Sequence, residues 1–144
     1  MIDELKNIEY VLFDLDGTVS DSSEGITKSA DKALKSEGID VPFETLTSFI
    51  GPALRVSFGR YTDDVEKRDR MLDVYRERYS EKGWCENKIY PGMAELLRDL
   101  QKSGKHVVLA SAKPEYFCRK IIKYFGVEQY FDFIGGSDME GKRD

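Results

Sequence analysis

The chain has 144 residues, 40% of them hydrophobic, 34% charged and 12% aromatic, and its net charge is -5. That profile excludes a disordered tail or a collagen-like array, because a chain of this length can bury roughly 68–70% of the surface its unfolded form exposes. The 22 basic residues are scattered among 27 acidic ones, which argues against a nucleic-acid partner.

The absence of a long apolar run argues against a membrane one. Met1-Ile2-Asp3-Glu4 starts acidic rather than as a signal peptide, so the expected location is cytoplasmic, with Cys85 and Cys118 as free thiols.

In chain order, Tyr10-Val11-Leu12-Phe13 is a continuous apolar run ending in Asp14-Leu15-Asp16-Gly17, the pattern of a buried strand running into a tight turn. From Ser20 to Lys88 the signals are helical. Asp21-Ser22-Ser23-Glu24 and Asp63-Asp64-Val65-Glu66 each place a carboxylate three residues after a capping Asp. Ile26, Ala30, Ala33 and Leu34 form one apolar stripe, and Met71, Leu72, Tyr75 and Tyr79 another.

After Pro91 the pattern alternates. Met93, Leu96, Leu97 and Leu100 predict a helix face, Val107-Val108-Leu109-Ala110 a strand, Phe117, Ile121, Ile122 and Phe125 a second helix face, and Phe131-Asp132-Phe133-Ile134 a strand ending in Gly135-Gly136. Gly104 and Gly126 stand where such helices end. The fold class expected is α/β: a parallel, Rossmann-like sheet with right-handed crossovers, interrupted by a helical insertion. The domains expected are 1–19 with 89–144 as the sheet core and 20–88 as a small helical domain.

The most informative residues are Asp14-Leu15-Asp16-Gly17-Thr18, because open α/β sheets bind ligands at the carboxyl ends of their strands. Carboxylates at i and i+2 of an extended chain share a side and repel unless a cation neutralises them, so the pair predicts a hard divalent ion, magnesium. A carboxylate held there can also attack phosphorus. A solvated Asp/Gly turn is the bland alternative, which the apolar lead-in disfavours. A calcium loop fails because Val19 and Gly25 occupy the places its Gly and Glu need. A signalling receiver domain has no helical insertion after its first strand.

Ser111, at the end of the second run, is placed to donate to a phosphate oxygen, with a plain helix cap as the competing reading. Lys113 is a cation near a helix start, where it opposes the macrodipole; a bound phosphate would account for it, and so would simple exposure to solvent. In the insertion, Gly51-Pro52 marks a turn from which Arg55 can reach an anionic substrate, with an arginine simply facing solvent as the competing reading. His106, at the start of a strand, is read as structural.

A strand ending in DLDGT, a helical insertion, then YPGMAELL and LASAKPE resembles the haloacid dehalogenase superfamily, in its phosphoglycolate phosphatase-like branch with an α-helical cap. The resemblance implies a magnesium-dependent phosphatase of small phosphorylated metabolites. Asp14 is then nucleophile and metal ligand, and Asp16 is general acid and base that also offers its backbone carbonyl to the metal. Ser111 then binds the transferring phosphoryl group, residues 20–88 are the cap, and Lys113, Thr18 and Arg55 are the further candidate substrate-binding residues.

The resemblance also implies a lysine after the third strand and a later Gly-Asp acidic motif. The chain ends at Gly141-Lys142-Arg143-Asp144, with Lys142 a few residues early for that lysine, so it reads as C-terminally truncated. The alternatives left open are a phosphomutase and a non-catalytic domain that binds metal, phosphate or a protein partner. The resemblance further implies a central first strand whose neighbours on one side are missing here, and the unpaired hydrophobic edge this leaves at Tyr10 to Phe13 predicts self-association.

Overall fold

The computed structural model describes residues 6–138. β1 (Tyr10–Phe13) and β2 (Ser20–Asp21) precede α1 (Ser23–Ser36), α2 (Phe43–Leu46), α3 (Leu54–Gly59) and α4 (Val65–Glu81). β3 (Lys88–Ile89), α5 (Met93–Lys102), β4 (His106–Pro114), α6 (Glu115–Tyr124) and β5 (Phe133–Ser137) follow. The chain divides into two compact units, one formed by the segments up to Val19 and from Ile89 onward, the other by Ser20–Lys88.

The first unit is built on a parallel sheet in the order β1-β4-β5. Val11 pairs with Val107, and Phe13 with Leu109, which in turn pairs with Ile134. Successive strand residues face opposite sides. The side carrying Val107, Leu109 and Ile134 is buried together with Leu97, Leu100, Phe117, Ile121 and Ile122 of α5 and α6. The opposite side carries Tyr10, Leu12 and Phe133, which are 58%, 66% and 59% exposed.

The apolar run of β1 is therefore half-buried, and on one side only, contrary to the expectation of a fully buried strand. Among the described residues, both helices that follow the sheet connections cover the same face. Leu96 likewise lies outside the buried face of α5 that its spacing suggested.

Two strand boundaries also differ from the sequence pattern. β4 runs to Pro114 rather than ending at Ala110, and β5 begins at Phe133 rather than Phe131. A 3-10 turn at Glu128–Tyr130 occupies the approach to β5, and the Asp132 carboxylate is spent accepting the Val107 N–H at 2.8 Å. His106 is exposed, stacks on Tyr10 with ring centroids 4.9 Å apart, and lies 3.7 Å from Asp132, in keeping with a structural part.

The second unit is helical, as its spacing indicates. Ile26, Ala30, Ala33 and Leu34 of α1 and Met71, Leu72, Tyr75 and Tyr79 of α4 are all buried. Phe49, Phe58, Tyr75 and Tyr79 form a chain of ring contacts with centroids 4.9 to 6.1 Å apart. The N-cap of α4 is Asp64, one residue later than the pattern suggested, and its Oδ1 accepts the Glu66 N–H at 2.9 Å. At α1 the cap residue is Ser22, which makes no side-chain cap bond; Asp21 instead accepts the Ser23 N–H at 3.0 Å.

α1 packs so closely on the Gly83–Cys85 turn that a Cβ on Gly25 would lie 1.9 Å from the Gly83 carbonyl oxygen, so no side chain fits there. The sequence pattern gave no strand in this segment, yet its two ends, β2 and β3, pair as a short ribbon.

One ion pair closes this unit. Arg78 donates to Glu86 Oε1 at 2.8 Å and Oε2 at 3.3 Å, and to Ser29 Oγ at 3.1 Å, with Lys28 3.6 Å from Glu86. Hydrogen bonding from Arg78 holds the Glu86 carboxyl below its ordinary range near 4.5, with burial opposing.

Because the native value is the lower one, the stability Glu86 contributes is complete above that ordinary range and is lost as pH falls through the native value. Glu86→Gln is expected to cost about 1–3 kcal/mol at pH 7. The gap from the parent should close on acidification, and urea unfolding at pH 7 and below pH 4 measures both.

Candidate active site

The carboxyl ends of β1 and β4 carry the candidate residues of the first unit. After Phe13 the chain leaves the sheet, and the Leu15 carbonyl accepts the N–H groups of Thr18 and Val19 at 3.2 and 3.0 Å. Leu15 and Val19 are wholly buried, so the turn is anchored by apolar contacts while Asp14 and Thr18 remain exposed on it. Gly17 adopts φ +79°, a conformation that favours glycine and lets the chain reverse directly after Asp16. Asp14 Oδ1 accepts the Leu15 N–H at 2.8 Å, which fixes the carboxylate's orientation at the rim.

Asp16 is turned inward. Its side chain and that of Lys113 are each only 8% exposed, and Lys113 Nζ lies 3.0 Å from Asp16 Oδ1. That oxygen has no hydrogen-bond partner among the described residues, so the contact is a charge pair rather than an aligned hydrogen bond. The solvent-facing reading of Lys113 is corrected accordingly. A buried carboxylate needs its counter-charge, and this one is held at the end of the neighbouring strand.

Ser111 and Lys113 lie on an irregular stretch of β4. Ala110 pairs with Gly135 and Pro114 with Ser137, so Ser111, Ala112 and Lys113 stand opposite the single residue Gly136 and arch away from the sheet. Such bulges re-aim side chains and recur next to active sites. Ser111 Oγ accepts the Lys113 N–H at 3.1 Å, closing the arch on itself. The helix-cap reading of Ser111 does not hold, since α6 starts at Glu115 behind Pro114.

Under the arch lies Cys118, wholly buried. Its thiol donates to the Lys113 carbonyl at 3.6 Å, and its ionisation is pushed up to about 12, chiefly by burial.

Arg55 belongs to the second unit, exposed on the first turn of α3. Lys142, the lysine near the chain end, lies outside the described residues. The pairing of Lys113 with Asp16 and the place of Cys118 were not anticipated from the sequence.

The residues present suit a hard cation in one respect. Among the described residues no group of three or more His, Cys, Asp or Glu is disposed to hold a metal. Magnesium, however, needs only one or two protein carboxylates beside water and substrate phosphate, and Asp14 with the Asp16 main-chain carbonyl supplies oxygen donors of that kind. No helix among the described residues is long and apolar enough to cross a membrane.

Comparison with known proteins places this geometry in a family. A predicted phosphatase of known crystal structure from Clostridium acetobutylicum is 44% identical, with a TM-score of 0.89 over 94% of this chain and 63% of that one. A 5'-nucleotidase of Pseudomonas aeruginosa is 40% identical over 92% of this chain and 61% of its own. The tyrosine-protein kinase PtkA of Mycobacterium tuberculosis is 37% identical over 94% of this chain and 46% of its own.

The chain thus spans between about half and two-thirds of the length of these relatives. The model of the haloacid dehalogenase-like hydrolases matches residues 11–143, and the chain belongs to that family.

Proposed function

We propose that this chain carries the nucleophile half of a cytoplasmic, magnesium-dependent phosphomonoesterase acting on small phosphorylated metabolites, with residues 20–88 as its substrate-selecting cap. The observation that carries the reading is the convergence of an exposed Asp14, a buried Asp16–Lys113 pair and Ser111 at the carboxyl ends of two adjacent parallel strands.

In the first step an Asp14 carboxylate oxygen attacks phosphorus. The bond from phosphorus to the leaving oxygen breaks, and Asp16, charged and paired with Lys113 in the free chain, takes up a proton from solvent as substrate binds and gives it to that oxygen. In the second, Asp16 takes a proton from water as the water attacks phosphorus, and the bond to Asp14 breaks to release phosphate. Ser111 donates to a phosphoryl oxygen, while Thr18 and Arg55 contact the substrate.

Magnesium, held by Asp14 and the Asp16 carbonyl, would supply charge neutralisation on the phosphoryl oxygens. Uncatalysed monoester hydrolysis needs up to ~10²¹-fold acceleration, and proton transfer supplies only roughly 10²–10⁴ of it. Closure of a cap over such a site would exclude water and select the leaving group.

Phosphate release from 4-nitrophenyl phosphate, phosphoglycolate and a nucleoside monophosphate, with magnesium and with chelator, tests this. Release that chelation abolishes is expected. Stoichiometric magnesium binding by calorimetry without turnover would favour the non-catalytic alternative, and transfer within a sugar phosphate a phosphomutase. The PtkA relative, named as a tyrosine-protein kinase, favours a second reading in which the phosphoryl group passes to a tyrosine hydroxyl. Label from ATP retained on tyrosine of an acceptor protein would identify it.

Self-association is part of the proposal. β1 is an edge strand among the described residues, and it carries Tyr10 and Leu12 exposed. Light scattering at micromolar concentration should give a dimer or larger, and Leu12→Lys should shift it toward monomer; a monodisperse monomer of the parent chain would remove this part.

A further inference from the structure

The arch at Ser111–Lys113 has both ends paired to β5, yet three residues facing one leave its height above the sheet unspecified by the ladder. Two contacts from other elements supply that height, and both meet the Lys113 carbonyl.

From below comes Gly136. A Cβ built on it would lie 2.5 Å from the Lys113 carbonyl oxygen and 2.7 Å from both the nitrogen and the Cα of Glu115. All three are backbone atoms, so a methyl group there displaces the arch and the start of α6 rather than a pliable side chain. The adjacent Gly135 differs. Its nearest contact is Phe133 Cε1 at 3.0 Å, the far end of a side chain that is 59% exposed.

From α6 comes Cys118. Its Sγ donates to the same carbonyl at 3.6 Å. Ser111 Oγ already accepts the Lys113 N–H, so its own proton is free to be donated. The thiol proton thus fixes the Lys113 carbonyl at the end of the arch, and the Ser111 hydroxyl proton stays available to a ligand.

We propose that Gly136 and Cys118 are positioning residues that set the height of the Ser111–Lys113 arch, and thereby hold Lys113 against Asp16. The consequence for phosphoryl binding rests on the functional reading above; the geometric part does not.

The test uses the full chain, labelled with ¹⁵N, and the variants Gly136→Ala, Gly135→Ala, Cys118→Ala and Cys118→Ser. The readouts are the chemical shift and exchange protection of the Lys113 amide, the affinity for inorganic phosphate, and kcat and KM for 4-nitrophenyl phosphate. Gly136→Ala is expected to perturb the Lys113 amide and weaken phosphate binding roughly 10- to 100-fold, the scale of a misplacement near 1 Å. Gly135→Ala should change both less than about twofold, since only an exposed ring must move.

Cys118→Ala should raise KM more than it lowers kcat, and Cys118→Ser, which keeps a donor and an acceptor, should recover most of the loss. Equal effects of the two glycine variants, or a Lys113 amide unchanged in both Gly136→Ala and Cys118→Ala, would overturn the inference. If the parent chain neither binds phosphate nor releases it, the functional reading fails and the Lys113 amide alone decides the geometric part. If Gly136→Ala does not fold, the two Cys118 variants carry the decision by the same criteria.

Discussion

Asp14→Asn is expected to lower phosphate release by at least ~10⁴-fold while leaving unfolding free energy within about 0.5 kcal/mol of the parent. The asparagine keeps an oxygen that can accept the Leu15 N–H, as Asp14 Oδ1 does at 2.8 Å, so the turn is preserved while the nucleophilic charge is gone. Asp14 is exposed, and little packing changes with it. Parallel measurement of single-turnover phosphate release and urea unfolding separates the two effects. Undiminished release from the variant would rule out attack by this carboxylate, whatever the reaction class.

Lys113→Met should be costly in both respects. It leaves Asp16 charged at 8% exposure without its partner 3.0 Å away, and breaking a buried pair from one side typically costs about 3–5 kcal/mol. Activity is expected to fall roughly 10²-fold further than stability loss explains, as happens when a preorganised charge is removed from a dry site. A double cycle with Asp16→Asn identifies the cause. If the stability loss of Lys113→Met persists unchanged in the Asp16→Asn background, the pairing is not what the lysine provides. Should the loss shrink by more than half, the charge pair accounts for it.

Much of this was legible in the chain because the relevant signals are local. The alternation after Pro91 fixes the order of helices and strands element by element, and the stripes of α1 and α4 are buried as their spacing requires. Asp14-Leu15-Asp16-Gly17 declares a turn by composition alone.

What could not be read depended on partners distant in sequence. Lys113 finds Asp16 across nearly a hundred residues, and no local pattern distinguishes it from a solvated lysine. Leu12 belongs to an unbroken apolar run, yet its exposure is set by which face of the sheet α5 and α6 cover. The extension of β4 through Ala112 to Pro114 is equally non-local, because it follows from pairing with Ser137 of β5. Proline lacks an N–H to give the ladder, and its presence at the arch's far end was the one clue available.

The ribbon formed by β2 and β3 bears on how the chain folds as well as on what it becomes. β1 must pair in parallel with β4 roughly a hundred residues away, a closure whose entropic cost rises with the logarithm of the intervening length. Ser20–Lys88 is a compact unit whose two ends are zipped together. Once it has folded, the loop that remains to be closed is less than a third as long, which lowers the closure cost by about 1 kcal/mol. The insertion that separates the two strands in sequence therefore acts, kinetically, as a splint that brings them within reach of each other.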